Sequence, residues 1–400
     1  MKTSPDVSAV TLTDAIERAG SLIEVLQERA TRTELNRALL PENVDALQSL
    51  GLLRFHQPKS QGGMELDFVG IIEISMQIAR GCASTAWNVA NLGSHQFMLA
   101  QYEKAAQDDV WSDCQQHVIA AALAFPQGGG SAVEGGFRIS GKWAFSSGID
   151  VSEWCLLAAS IRSVEGGPVV DHRICLVHRS EYEVVDDWFT MGLRGTGSKQ
   201  VVCRDLFVPR HRALCMYDIR GGMEHPGASA NPGALYRVPL VALGPHILAG
   251  PAVGNAQAAL DMFVEKNRSR TTAYTGLKLS DLQSIQIKVA RASSCIEAAR
   301  SLLRTDALTA MDIARAGECP PTLTKLAWRR NAAYAVELAT EAVDILFKVS
   351  GANGLYETSP IQRCFRDAHA IQAHINFSFD ASGSAFGMAA LGGTVNNPML

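Results

Sequence analysis

A mainly α chain with a central β domain is predicted by three observations. The first 120 residues carry apolar side chains at the helical period, residues 121–220 switch to short apolar runs broken by glycine pairs, and the remainder returns to long Ala- and Leu-rich helical stretches. Four hundred residues exceed what a single core sustains, so three units are expected: an N-terminal helical domain over 1–120, a β domain over 121–225 and a C-terminal helical bundle over 226–400. A hydrophobic content of 47% against 19% charged residues supports packed cores rather than disorder.

The elements follow in order. Leu12, Ala15, Ile16, Ala19, Leu22, Ile23 and Leu26 repeat at the helical period, and Thr11 with Asp14 resembles a capping box. Pro41 suits a first helical turn, and Gly51 ends that helix. Further helices run from near Phe68 to Arg80 and from Ser84 past His95. Strand-like runs then occupy 137–140, 142–145, 154–157, 173–177 and 201–202, punctuated by Gly135-Gly136, Ser147-Gly148 and Gly166-Gly167. That spacing predicts an antiparallel barrel or sandwich. Residues 221–236 read as a loop, and beyond them long helices interrupted at Pro320-Pro321 and at Gly351-Ala-Asn-Gly354 predict a three- or four-helix bundle.

Composition narrows the function. A net charge of −4 leaves no basic footprint for nucleic acid. The start, Met1-Lys-Thr-Ser-Pro-Asp6, lacks an apolar signal core, and no run is long enough to span a bilayer, so a cytoplasmic protein without a membrane partner is expected. Nine cysteines lie singly with no Cys-x-x-Cys, which reads as reduced, mostly buried thiols. Ten histidines lack zinc-site spacing, and no metal is expected.

The richest stretch is Gly192-Leu-Arg-Gly-Thr-Gly-Ser198, followed by a strand-like run that Pro209 stops. Ser198 separates Gly197 from Lys199, so the phosphate-cradling pattern is absent, and no Gly-x-Gly-x-x-Gly opens a helix. A polar glycine loop feeding an edge strand suits a planar, heteroatom-rich cofactor edge; alone, it also reads as a turn between strands.

Four segments together give the chain a family likeness: Ser84-Thr-Ala-Trp87 with His95; Gly141-Lys-Trp-Ala-Phe-Ser-Ser-Gly148 with Trp154; residues 192–209; and Arg363-x-x-Arg366-Asp367 with His374. In their order and spacing they resemble the acyl-CoA dehydrogenase fold, and within it the oxygenase components of two-component flavin monooxygenases. The resemblance implies reduced FAD or FMN taken from a separate NAD(P)H:flavin reductase, O₂ as co-substrate, a C4a-hydroperoxyflavin, hydroxylation of a small phenol- or indole-like substrate, and a homotetramer. It implies catalytic roles for Ser146, at the flavin N5 edge, and for His374, which would bind and help deprotonate a phenol from a helix. It implies substrate contacts at His95 and Trp87. It implies cofactor contacts at Trp143, Phe145, Ser146, Ser147, Thr196 and Ser198, and at Arg270, with Arg268 a close competitor, against the flavin phosphate. Strand alternation would put Phe145 and Ser147 on one face and Ser146 on the other. His369 and the Arg366-Asp367 pair read as structural.

Three rivals are weighed. A true acyl-CoA dehydrogenase needs a carboxylate base where this chain has Ala373-His374-Ile375-Asn376, and the nearest acid downstream is Asp380. N- or S-oxygenation by the same flavin chemistry needs no phenol-directed histidine, so His374 favours an aromatic carbon. A non-catalytic scaffold would have no use for the Ser/Thr/Gly residues of the flavin edge.

Overall fold

A computed structural model describes residues 6–164, 166–222, 224–272 and 275–395; residues 1–5, on which the search for a targeting signal falls, lie outside them. Helix α1 (Leu12–Gly20) starts at a reciprocal cap: the Asp14 amide donates to Thr11 Oγ1 at 3.2 Å and the Thr11 amide to Asp14 Oδ2 at 3.0 Å. The apolar period continues to Leu26, yet the helix does not. Ser21 turns its hydroxyl back onto Arg18 O at 2.8 Å, and α2 (Ile23–Asn36) begins afresh. After α3 (Pro41–Ser49), the helices α4 (Val69–Gly81) and α5 (Ala83–Leu99) run almost wholly buried, and α6 (Lys104–Trp111) leads to the sheet.

Among the described residues eight strands follow: β1 (Ile119–Ala122), β2 (Gly128–Val133), β3 (Gly136–Ser146), β4 (Trp154–Arg162), β5 (Val169–His178), β6 (Glu183–Val185), β7 (Lys199–Pro209) and β8 (Ala213–Cys215). They form one sheet in the order β6-β7-β3-β2-β4-β5-β8, with β1 also on β4. The β1–β4 and β2–β4 pairings are parallel, so the sheet is mixed rather than antiparallel throughout. Strand β7 lies between β6 and β3, which means that the glycine loop feeds an inner strand and the edge belongs to β6. The runs 137–140 and 142–145 are one strand, continuous through Gly141. Strand β2 has little apolar signal because Gly128 must leave room: a Cβ there would stand 2.2 Å from the Trp143 ring.

The chain closes with α7 (Leu240–Asn267), α8 (Gln283–Arg315), α9 (Thr322–Ser350), α10 (Pro360–Gln372) and α11 (Phe379–Ala390). Pro245 inside α7 has no N–H to donate, and Arg329 Nη1 takes up the carbonyl of Val241 at 2.8 Å. Helix α4 packs on α7, so the N-terminal helices and the bundle share one large core, while the sheet keeps a second. Among the described residues no helix is long and apolar enough to cross a membrane.

Glu73, buried in α4, joins the two helical layers by pairing with Arg300 Nη2 at 2.9 Å and with Arg304 Nη1, both from α8. Glu73→Gln keeps the shape and removes the charge. We expect a loss of about 2 kcal/mol in denaturant titration, below the range for fully buried pairs because both guanidiniums are partly solvated. An unchanged midpoint would show that the clamp contributes nothing to stability.

Candidate active site

The site starts from a bulge. Trp143 pairs with Val201 and Ser146 with Lys199, three residues against two, so β3 carries one extra residue before its end. Phe145 takes it up at φ +66° and swings outward, 66% exposed, in place of following Trp143 into the core. The bulge shifts the phase after Trp143, while across 145–147 Ser146 faces the sheet core and Phe145 and Ser147 face away from it, the alternation expected there. Ser146 turns into the sheet, with Oγ 3.6 Å from Cys155 Sγ. Ser147 turns towards α5.

Ser147 joins a row of buried hydroxyls. Trp87 Nε1 donates to Ser147 Oγ at 3.0 Å, Ser147 and Ser198 are 2.8 Å apart, Ser198 and Thr196 2.7 Å apart, and Thr196 Oγ1 donates to Leu193 O at 2.8 Å. Asn88 Nδ2 donates to Thr196 O at 3.2 Å, while its buried Oδ1 has no partner among the described residues.

The loop carrying this row is fastened to α10. Leu193, at φ +50°, gives its amide to Asp367 Oδ1 at 2.7 Å, and Arg366 Nη1 donates to Met191 O at 2.6 Å while also pairing with Glu34. Gly192 is needed for the fit, since a Cβ there would sit 2.2 Å from Arg366 O. Burial pushes the Asp367 carboxyl up to about 6, against the opposing pull of the Leu193 amide and Arg363.

Beside the row lies an apolar shelf. Phe145 meets Trp188 edge-on with centroids 6.2 Å apart, Trp188 Nε1 donates to Leu193 O at 3.1 Å, and Phe189 and Met191 are also exposed. Arg37 steadies this segment with two bonds to Asp186, at 2.8 and 2.7 Å, and lies over the Phe189 ring. A flat apolar shelf bordered by hydroxyl lone pairs and an unpartnered amide oxygen fits a planar ring with N–H groups on its edge.

His374 is not on a helix. Helix α10 stops at Gln372, and His374 caps the short turn Ile375–Phe377, its Nδ1 accepting the Asn376 amide at 3.2 Å. Its ring stands against Trp87, centroids 5.8 Å apart. His95, buried on α5, has Nδ1 2.7 Å from Ile119 O. A carbonyl only accepts, so His95 carries its proton on Nδ1 and keeps a lone pair on Nε2. An amide only donates, so His374 carries its proton on Nε2. Burial lowers both rings to about 4.

Ser147, Thr196, Ser198, Trp87 and His374 are thus brought together, with Phe145 on the adjoining shelf. Three residues expected at the cofactor are not joined to this group. Trp143 is wholly buried in the sheet core, its indole N–H given to Ala158 O at 2.7 Å, and Ser146 faces Cys155 in the same core. Arg270, beyond the end of α7, bonds to Asn267 Oδ1 at 3.2 Å, and no hydrogen bond among the described residues links it to the row. His369 pairs with Asp344 at 3.0 Å, in keeping with a structural part. Sequence reading missed Trp188, Asn88 and the tether role of Asp367. The aromatic pair Trp188-Phe189 just before the glycine loop was the available signal.

Two family models match the chain: the acyl-CoA dehydrogenase N-terminal domain over residues 19–112 and its C-terminal domain over residues 246–379. The chain is 36% identical to the oxygenase subunit HsaA of a flavin-dependent monooxygenase from Rhodococcus jostii, covering 90% of this chain and 93% of that protein. It is 32% identical to the oxygenase component of an FADH₂-dependent resorcinol hydroxylase from a Rhizobium species, covering 94% of each. The crystal structure of 3-HSA hydroxylase from a Rhodococcus species superposes with a TM-score of 0.92 at 33% identity, covering 96% of this chain and 98% of the other.

Asp367 gives a pH test. Its folded pKa of about 6 lies above the ordinary carboxylate value, so its contribution to stability is full below about pH 4 and lost as pH rises through 6. Asp367→Asn keeps an oxygen for the Leu193 amide and removes the buried charge. It should be more stable than the parent at about pH 7.5, by up to about 3 kcal/mol, and the difference should close towards pH 4. A difference that does not vary with pH in denaturant titrations would rule this out.

Proposed function

We propose how the site works from one premise: the chain belongs to the oxygenase components of flavin-dependent monooxygenases built on the acyl-CoA dehydrogenase fold. It is an oxidoreductase that works with reduced flavin, FAD or FMN, and O₂. Our reading is hydroxylation of a small phenol-type ring, with reduced flavin delivered by a separate NAD(P)H:flavin reductase. When bound, the flavin supplies the electrons that activate O₂ for transfer of one oxygen atom.

The observation that carries the phenolic reading is the opposite protonation pattern of the two histidines. His95 offers a lone pair on Nε2 and His374 offers a proton on Nε2. A phenol oxygen is at once donor and acceptor, so this pair matches it as neither a thioether nor an acyl thioester would. Leaning its proton on His95 enriches the ring in electrons, which favours attack on an electrophilic oxygen. Relatives that include a resorcinol hydroxylase support the same class. Trp87, against His374, gives the ring an apolar wall and helps exclude water.

The flavin edge, in this reading, runs along Ser147 and Ser198, with the ring on the shelf of Phe145 and Trp188. Arg270 of the partner subunit would meet the flavin phosphate as a fixed guanidinium fork. A homotetramer is supported by α11, an apolar helix that buries none of its residues within this chain, and by Ile375 and Leu391, exposed at 79% and 91%.

The test supplies the purified chain with NADH, an independent flavin reductase, ¹⁸O₂ and a panel of phenols. One ¹⁸O atom in a ring hydroxyl is expected; peroxide as the sole product across the panel would refute the reading. Substituting either His95→Ala or His374→Ala should lower kcat/KM for the phenol by about 10²-fold, the lower end for a lost proton-handling group. With both rings pushed to about 4, the parent's kcat/KM should stay level through pH 6.5 and fall only towards pH 4. A limb at the ordinary histidine value would overturn the assignment of neutral rings.

A further inference from the structure

The hydroxyl row has a direction. Each hydroxyl owns one proton, and Thr196 commits its own to Leu193 O at 2.8 Å. In the 2.7 Å contact with Thr196, Ser198 must therefore be the donor, which leaves Ser147 as the donor in the 2.8 Å contact with Ser198. Trp87 Nε1, which can only donate, fills one lone pair of Ser147 at 3.0 Å. Every proton of the row thus points away from Trp87 and towards the Leu193 carbonyl. What remains open is one lone pair on each of Ser147, Ser198 and Thr196. Ser147 keeps more exposure than Ser198 or Thr196, 7% against 4% and 1%, so its lone pair is the one a ligand reaches first.

A row that offers lone pairs and no protons favours a ligand edge that donates. The flavin N5 position carries a hydrogen when the ring is reduced and a bare lone pair when it is oxidised. We propose that the row Ser147–Ser198–Thr196, polarised by the Leu193 carbonyl, selects reduced over oxidised flavin, an inference that rests on the flavin edge lying along Ser147 as proposed above. Reduced flavin completes the row with all its bonds kept. Oxidised flavin must either leave N5 without a donor or reverse the row, and reversal takes the Thr196 proton from Leu193 O. Either way the oxidised complex is one buried hydrogen bond short.

The experiment is an anaerobic titration of the purified chain with oxidised and with chemically reduced FAD and FMN, giving a dissociation constant for each state. Ser198→Ala and Thr196→Val each free a proton for Ser147 to pass to oxidised N5, by independent routes. In both variants the ratio of the oxidised to the reduced constant should fall about tenfold, the worth of one buried hydrogen bond. Thr196→Ser, which keeps the hydroxyl, should hold the parent ratio. If both constants weaken together and the ratio stands, selection by row polarity is wrong while the flavin placement survives. If neither constant moves in any variant, the flavin edge does not lie on this row, and the placement falls together with the inference.

Discussion

The contact on which the site depends is a single buried hydrogen bond between the Leu193 amide and the Asp367 carboxylate. Leu193 is held in the left-handed region, where a branched side chain costs about 1 kcal/mol or more, and such a conformation persists only when its surroundings over-determine it. They do. The amide is taken by Asp367, and the carbonyl receives the Thr196 hydroxyl, the Thr196 amide and the Trp188 indole. Both ends of one residue are thereby spoken for, and everything downstream in the loop inherits its place. Asp367 sits on α10, and α10 runs out two residues before His374. One helix therefore fixes the loop that carries the hydroxyls and delivers the histidine that faces Trp87.

The opposite wall depends on the bulge in β3. An unbroken strand would send Phe145 into the core after Trp143 and leave Ser146 facing out. The extra residue reverses both, and Trp143, anchored to Ala158 O and seated against Gly128, keeps the shift from spreading back along the strand. Gly148, whose amide bonds to Thr196 O at 3.0 Å, ties the far side of the bulge to the same loop. The row is thus assembled from two chain segments, each held by backbone contacts close to the hydroxyl it presents.

The layout of helices, sheet and bundle was legible in the sequence because helical period and glycine punctuation are local signals. So were the cap at Thr11 and the gathering of Trp87, Thr196, Ser198 and His374, which travelled with recognisable segments. What could not be read was set by contacts distant in sequence. Half of strand β2 is glycine, and its first, Gly128, leaves the space that Trp143, fifteen residues on, needs. Ser146 and Ser147 are interchangeable on paper, and only the register of β3 against β7 decides which one leaves the core. The Arg366-Asp367 pair read as structural without a partner named; the partner of Asp367 proves to be an amide 174 residues earlier in the chain. His374 looked helical because the apolar period continues past Gln372, whereas the helix ends where the chain turns to offer Nδ1 to Asn376.

The donor and acceptor pattern of the proposed site follows from four backbone groups. Ile119 O dictates that His95 keeps a lone pair on Nε2, and the Asn376 amide dictates that His374 keeps a proton there. Leu193 O orients the hydroxyl row, and the Leu193 amide holds the loop in which that row is set. Main-chain groups do not titrate and, once packed, do not rotate. Desolvation adds to this by keeping both imidazoles neutral over the physiological range, so neither ring switches roles with small changes in pH. Had the pattern rested on side chains alone, each hydroxyl and each ring could have turned to suit oxidised or reduced ligand, donor or acceptor. Anchoring both rings directly to the backbone, and the hydroxyl row through Thr196, favours one arrangement of protons before any ligand arrives, the preorganisation that the proposed oxygen transfer would use.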